Sequence, residues 1–107
     1  MMKGMKDMAA MMRQAQQMKK DMATMQAKLE ELTMDGTAAG GKVVVTMSGK
    51  MLVRGIKIDP ALVDADDVET LEDLIAAATN DALNKVQDYV NGEVQRITGG
   101  LGGGLLG

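Results

Sequence analysis

Cysteine, histidine, phenylalanine and tryptophan are all absent from the chain, Tyr89 is its one aromatic residue and Pro60 its one proline. Each absence removes a class of chemistry. Without cysteine there is no disulfide framework and no thiolate; without histidine there is no imidazole base, and the usual zinc ligands are missing together. No metal site and no cofactor is expected. The lack of aromatics leaves an interior poor in bulky side chains, which a domain of this size commonly remedies by oligomerisation. Long apolar runs are missing too: nothing approaches the roughly eighteen consecutive apolar residues of a membrane span. The start of the chain has Lys3 and Lys6, but Asp7, Arg13, Gln14 and Gln16 interrupt any signal-peptide core. These features fit a cytosolic protein with no membrane partner.

What is present is methionine, twelve in 107 residues. Within Met1 to Leu32 the apolar positions fall at Met8, Met11, Ala15, Met18, Met22, Met25, Leu29 and Leu32, an alternation of three- and four-residue steps. That spacing is a coiled-coil-like heptad seam, which a strand cannot use and which a helix uses only when a second helix covers it. A helix over Met5 to Leu32 would be a rod on the order of 40 Å long. The seam therefore calls for a partner helix, read here as one from a second subunit. Met18, Met22, Met25 and Leu29 are its candidate dimer or helix-packing residues. Thioethers also bind soft copper, but at seam spacing they are read as apolar filling.

Beyond Leu32 the period changes. Asp35-Gly36 and Ala38-Ala39-Gly40-Gly41 are turn signals, although Leu32 to Thr37 has room for a short first strand. Lys42 to Met47 alternates as a strand, Ser48-Gly49 is a hairpin turn, and Lys50 to Ile58 is a second strand in which Gly55 marks a bulge or close approach. In that strand Leu52, Arg54, Ile56 and Ile58 share one parity. Asp59-Pro60 closes it. After an acidic connector a second helix starts near Asp66 or Asp67, where carboxylates meet free amide donors. Its apolar positions keep a helical period from Leu71 to Ile97, with Gly92 as a weak point. The fold class is α+β: a long amino-terminal helix, a small antiparallel sheet of two to three strands and a long carboxyl-terminal helix. Residues 1–98 form one domain, and residues 99–107, with six glycines in nine positions, read as a flexible tail.

The net charge of −3 conceals a division. Residues 1–58 hold ten basic against five acidic side chains, and residues 59–107 hold two against ten. The basic half admits a nucleic-acid reading, with Lys3, Lys6, Arg13, Lys19, Lys20, Lys28, Lys42, Lys50, Arg54 and Lys57 as candidates. No aromatic stands among them, so the base-stacking platform common in single-strand binders is missing and contacts fall on phosphates. An enzyme is disfavoured. The carboxylates Asp64, Asp66, Asp67, Glu69, Glu72 and Asp73 sit where solvent exposure and helix capping account for them, and neither a dinucleotide nor a P-loop glycine pattern occurs.

Three blocks carry a resemblance: MKDMAAMMRQAQQMKKDMATMQAKLEEL, then GGKVVVTMSGKMLVRGIKIDPALV, then LEDLIAAATNDALNKV ahead of the glycine-rich end. Together they resemble the YbaB/EbfC family of bacterial nucleoid-associated proteins over nearly the whole chain. The most specific positions are Gly41 with Val43 to Gly49, Gly55 to Pro60, and Leu71 to Ala82. The resemblance implies a tweezers-like homodimer that binds double-stranded DNA without catalysis and contributes to nucleoid organisation or gene regulation. It maps DNA contact to the first helix, with Lys3, Lys6, Arg13, Lys19 and Lys20. The alternative reading is a coiled-coil-like adaptor whose basic half meets an acidic protein surface without touching DNA.

Overall fold

The computed structural model describes residues 2–99, with side chains from Asp7 onward. In chain order the elements are α1 (Met2–Glu31), β1 (Thr33–Ala38), β2 (Val43–Ser48), β3 (Val53–Ile58) and α2 (Val68–Thr98), with 3-10 turns at Ala39–Gly41 and Pro60–Leu62. The tail from Gly100 to Gly107 lies outside the described residues. The three strands form one antiparallel sheet in the order β1-β2-β3.

The core is where α2 crosses β1 and β2. Val43, Val45 and Met47 alternate along β2 and meet Ala78, Ala82 and Val86, which repeat at four-residue steps along α2. The three valines are fully buried, each contributing on the order of 1.5–3 kcal/mol. The two alanines let the helix axis approach the sheet, and Gly36 lets β1 meet it backbone to backbone. A Cβ at Gly36 would stand 2.1 Å from the Ala78 carbonyl oxygen. The Asp35-Gly36 pair is thus inside a strand and not at a turn: the missing side chain is required by helix proximity.

Helix α1 packs on α2 and on the end of β2. Its carboxyl end is tied down, with Leu32 donating its N–H to the Lys28 carbonyl at 3.0 Å and Gly49 donating to the Leu32 carbonyl at 3.0 Å. Gly49 has Leu29 directly above it. These links hold the helix end despite the unfavourable Glu30 and Glu31. Met25 and Leu29 are buried and Met18 and Met22 half-buried, and on α2 Tyr89, Val90, Val94 and Ile97 are half-buried. The chain's own α2 and the end of β2 pack against α1, so part of the carboxyl half of the methionine stripe is covered within the single chain. Toward the amino end the stripe is bare: Met8 is 67% and Met11 68% exposed.

The sheet departs from the expected parity at one place. Thr46 pairs with Gly55 but Met47 pairs with Val53, so Arg54 is an extra residue. This bulge lies beside Gly55, not at it. One inserted residue exchanges the faces beyond it, so Val53, not Leu52 or Arg54, joins Ile56 and Ile58 opposite Met47, Val45 and Val43. Helix α2 begins as the acids foretell: Asp67 accepts from the Thr70 N–H at 3.3 Å and from its hydroxyl at 2.7 Å. It runs unbroken through Gly92.

Candidate nucleic-acid interface

The molecule is a rod. Its extents are 78 × 25 × 16 Å and its radius of gyration is 20.7 Å, against about 13 Å for a compact domain of 100 residues. The elongation comes from α1, which enters the sheet at its carboxyl end and runs antiparallel to the last turns of α2. Asp21 and Arg96 mark the overlap: after the hydrogen-bonded Glu93 carboxylate, Asp21 is a further negative charge holding the Arg96 guanidinium above its ordinary pKa. The Arg96–Glu93 pair itself is 2.7 Å. Residues of α1 ahead of this overlap project as an arm.

Arg13, Lys19 and Lys20 are exposed on α1. Arg13 and Lys20, seven residues apart, fall on one face about 10 Å from each other along the axis, and Lys19 lies about 100° round from Lys20. The side chains of Lys3 and Lys6 are outside the described residues. Lys28 is exposed near the sheet, as are Lys42, Arg54 and Lys57, whereas the Lys50 ammonium is engaged by the Gln26 side-chain carbonyl. The acids sit elsewhere. Asp64, Asp66, Asp67, Glu69, Glu72 and Asp73 are exposed around the start of α2, which lies beyond the sheet from the α1 arm. Much of the division of charge along the sequence becomes a division along the rod: these six acids lie away from Arg13, Lys19 and Lys20, whereas Glu93 stands on the last turns of α2 beside α1, paired with Arg96.

A second polar constellation was missed in the sequence. Asp81 accepts the Thr37 N–H at 2.9 Å and pairs with Lys85 at 3.2 Å, Lys85 donates to the Asp35 carbonyl at 3.0 Å, and Asp35 accepts from the Thr46 hydroxyl at 2.7 Å. Asp81 and Lys85 are four residues apart on a helix, a signal that could have flagged the pair. They clasp the outer edge of β1 and blunt it against pairing with other chains. The Thr37 N–H and then the Lys85 ammonium lower the Asp81 pKa. Because the folded value lies below the unfolded one, this stabilisation is present above the ordinary carboxylate range and is lost as pH falls through the lowered pKa. Asp81→Asn is expected to melt below the wild type at neutral pH, with the gap closing under strong acid. Thermal melts of both proteins across that range check it, and a gap that persists under acid would refute the linkage.

Among the described residues no group of histidine, cysteine or carboxylate side chains is placed to hold a metal ion, and no helix is long and apolar enough to cross a membrane.

Two long helices flanking a three-stranded antiparallel sheet, with charge separated along the rod, define an elongated binding protein of α+β architecture. Comparison with known proteins narrows this. Residues 5–101 match the model of the YbaB/EbfC DNA-binding family. A nucleoid-associated protein of Rhodopseudomonas palustris is 49% identical over 98 residues, covering 92% of each chain. Another nucleoid-associated protein, from Rhodococcus jostii, is 45% identical over 103 residues, covering 96% of this chain and 91% of its own. The crystal structure of an uncharacterized protein from Helicobacter pylori shares the fold, with a TM-score of 0.68 at 23% identity over 77% of this chain and 86% of that one. The chain belongs to the YbaB/EbfC family, whose members are non-enzymatic.

Proposed function

We propose that the protein is a homodimer that binds double-stranded DNA in the cytoplasm, at the nucleoid, and contributes to nucleoid organisation or gene regulation. The observation that carries the reading is the segregated charge: exposed Arg13, Lys19 and Lys20 stand on an arm of α1, away from the acids at the start of α2. Family membership and the nucleoid-associated relatives support the same conclusion. A single arm offers few phosphate contacts, and two held in a fixed relation multiply them.

The dimer contact is assigned to β3. Helix α2 covers β1 and β2 on one face of the sheet. On that same face Val53 and Ile56 of β3, both 47% exposed, continue the row of buried Met47 and Val45. A second copy seated on this shelf, beside exposed Met51 and Leu52, would complete a core that one chain leaves unfinished.

Titration of duplex DNA at several ionic strengths tests the reading. Each phosphate contact contributes about 0.9 to the log-log salt slope. Lys19→Glu with Lys20→Glu is expected to abolish the gel shift at low salt while sedimentation still reports a dimer. Undiminished binding would reject these two lysines as contacts. Weak, non-saturating shifts from the wild type would favour the adaptor reading instead.

A further inference from the structure

We propose that Met8, Met11 and Met12 form a surface site for a soft monovalent cation, Cu(I) or Ag(I), held by three thioether sulfurs. The proposal is independent of DNA binding.

At seam spacing methionine serves as apolar filling, and Met25, buried like Leu29, does so. It does not extend to the arm. Met8, Met11 and Met12 are 67%, 68% and 64% exposed, left largely uncovered by the described residues. Their spacing of i, i+3 and i+4 gathers them on one side of α1: Met11 lies about 60° to one side of Met8 and Met12 about 40° to the other. Neighbours at these spacings have Cβ atoms about 5–6 Å apart. Long helical side chains lean toward the amino end, so the sulfurs of Met11 and Met12 are carried over the turn that bears Met8. Three rotatable bonds then let each thioether adjust to a common centre.

The chemistry selects the ligand. Thioethers are soft donors suited to Cu(I), whereas magnesium, calcium and manganese require oxygen. The chain has no cysteine or histidine to compete for a soft ion, so soft-ion binding is confined to methionine. Electrostatics are tolerant. Arg13 lies about 140° round the helix from Met8, and Asp7, the only acid in the first twenty residues, adjoins Met8 and stands four residues before Met11. The remaining described methionines offer no comparable group: Met25 and Met47 are buried, Met18, Met22 and Met34 are half-buried, and Met51 stands in the turn between β2 and β3.

The test uses the full-length protein with methionine methyl groups labelled with carbon-13. It is titrated with Ag(I) in chloride-free buffer, and with Cu(I) without oxygen against a chromophoric Cu(I) chelator. One equivalent is expected, shifting the methyl resonances of Met8, Met11 and Met12 together. Loss of an outer-shell partner alone lowers metal affinity by about 10–100-fold, so Met8→Leu should weaken binding at least that much. The triple variant Met8→Leu, Met11→Leu, Met12→Leu should remove it while leaving helical circular dichroism intact, since leucine is an equal helix former. Met34→Leu, at a half-buried methionine of β1, should leave the metal affinity unchanged. Three results would overturn the site: no binding at micromolar metal, full affinity in the triple variant, or lowered stoichiometry with unchanged affinity in Met8→Leu, the sign of sulfurs acting separately.

Discussion

Gly36→Ala is expected to destabilise the fold by about 3 kcal/mol or more, a large share of the roughly 5–15 kcal/mol that holds a domain of this size together. The added carbon would lie 2.1 Å from the Ala78 carbonyl oxygen, 2.2 Å from the Ala82 nitrogen and 2.7 Å from the Ala82 Cα. All three are helix backbone atoms. No rotamer change relieves them, so α2 must lift from β1 along its length and open the cluster of Val43, Val45, Ala78, Ala82 and Val86. Gly55→Ala is the matched control: its Cβ meets nothing within 4 Å, and a loss of no more than about 0.5 kcal/mol is expected. Gly49→Ala falls between, because the Leu29 side chain can yield but the Leu29 backbone, at 2.7 Å, cannot. Urea denaturation followed by circular dichroism ranks the three. Equal midpoints for Gly36→Ala and Gly55→Ala would show that β1 does not rest on the backbone of α2.

Gly36 also marks the boundary of what the sequence discloses. Periodicity reports which residues need covering, and it placed both helices and the alternation of β2 correctly. It does not report what covers them. The stripe from Met18 to Leu29 needed a helix, and the same pattern serves a partner subunit or α2 of the same chain. Local signals misled for a related reason. Asp35-Gly36 has turn chemistry, yet the glycine is present because two backbones meet there. The parity of β3 misplaced Arg54 because a bulge is set by pairing across the hairpin, where Thr46 meets Gly55 and Met47 meets Val53, and one strand alone carries no record of that register. Basic residues on α1 were legible as charge. Their separation from the acids became visible only when the antiparallel overlap of α1 and α2 fixed which ends of the helices lie apart.

Ile56→Asp carries the largest expected effect on function. In a lone chain the position is 47% exposed, so an aspartate there reaches water and the sheet should survive. In the proposed dimer it is covered, and burying an uncompensated charge costs about 3–5 kcal/mol. A dissociation constant raised by on the order of a hundredfold to several thousandfold follows from one such charge, and twofold symmetry supplies two. Analytical ultracentrifugation should find a monomer at micromolar concentration with helical circular dichroism retained. Lys57→Asp separates this from a general effect of acid on the strand, because Lys57 pairs with Val44 on the opposite face and its variant should remain dimeric. DNA binding should fall with the dimer, since linking two sites raises overall affinity by about 10²–10⁴, while Arg13, Lys19 and Lys20 of each separated chain stay in place. A dimer that persists in Ile56→Asp would move the contact off β3. The exposed run from Met8 to Met12 would then be the surface to test, and soft-metal binding would compete with association there.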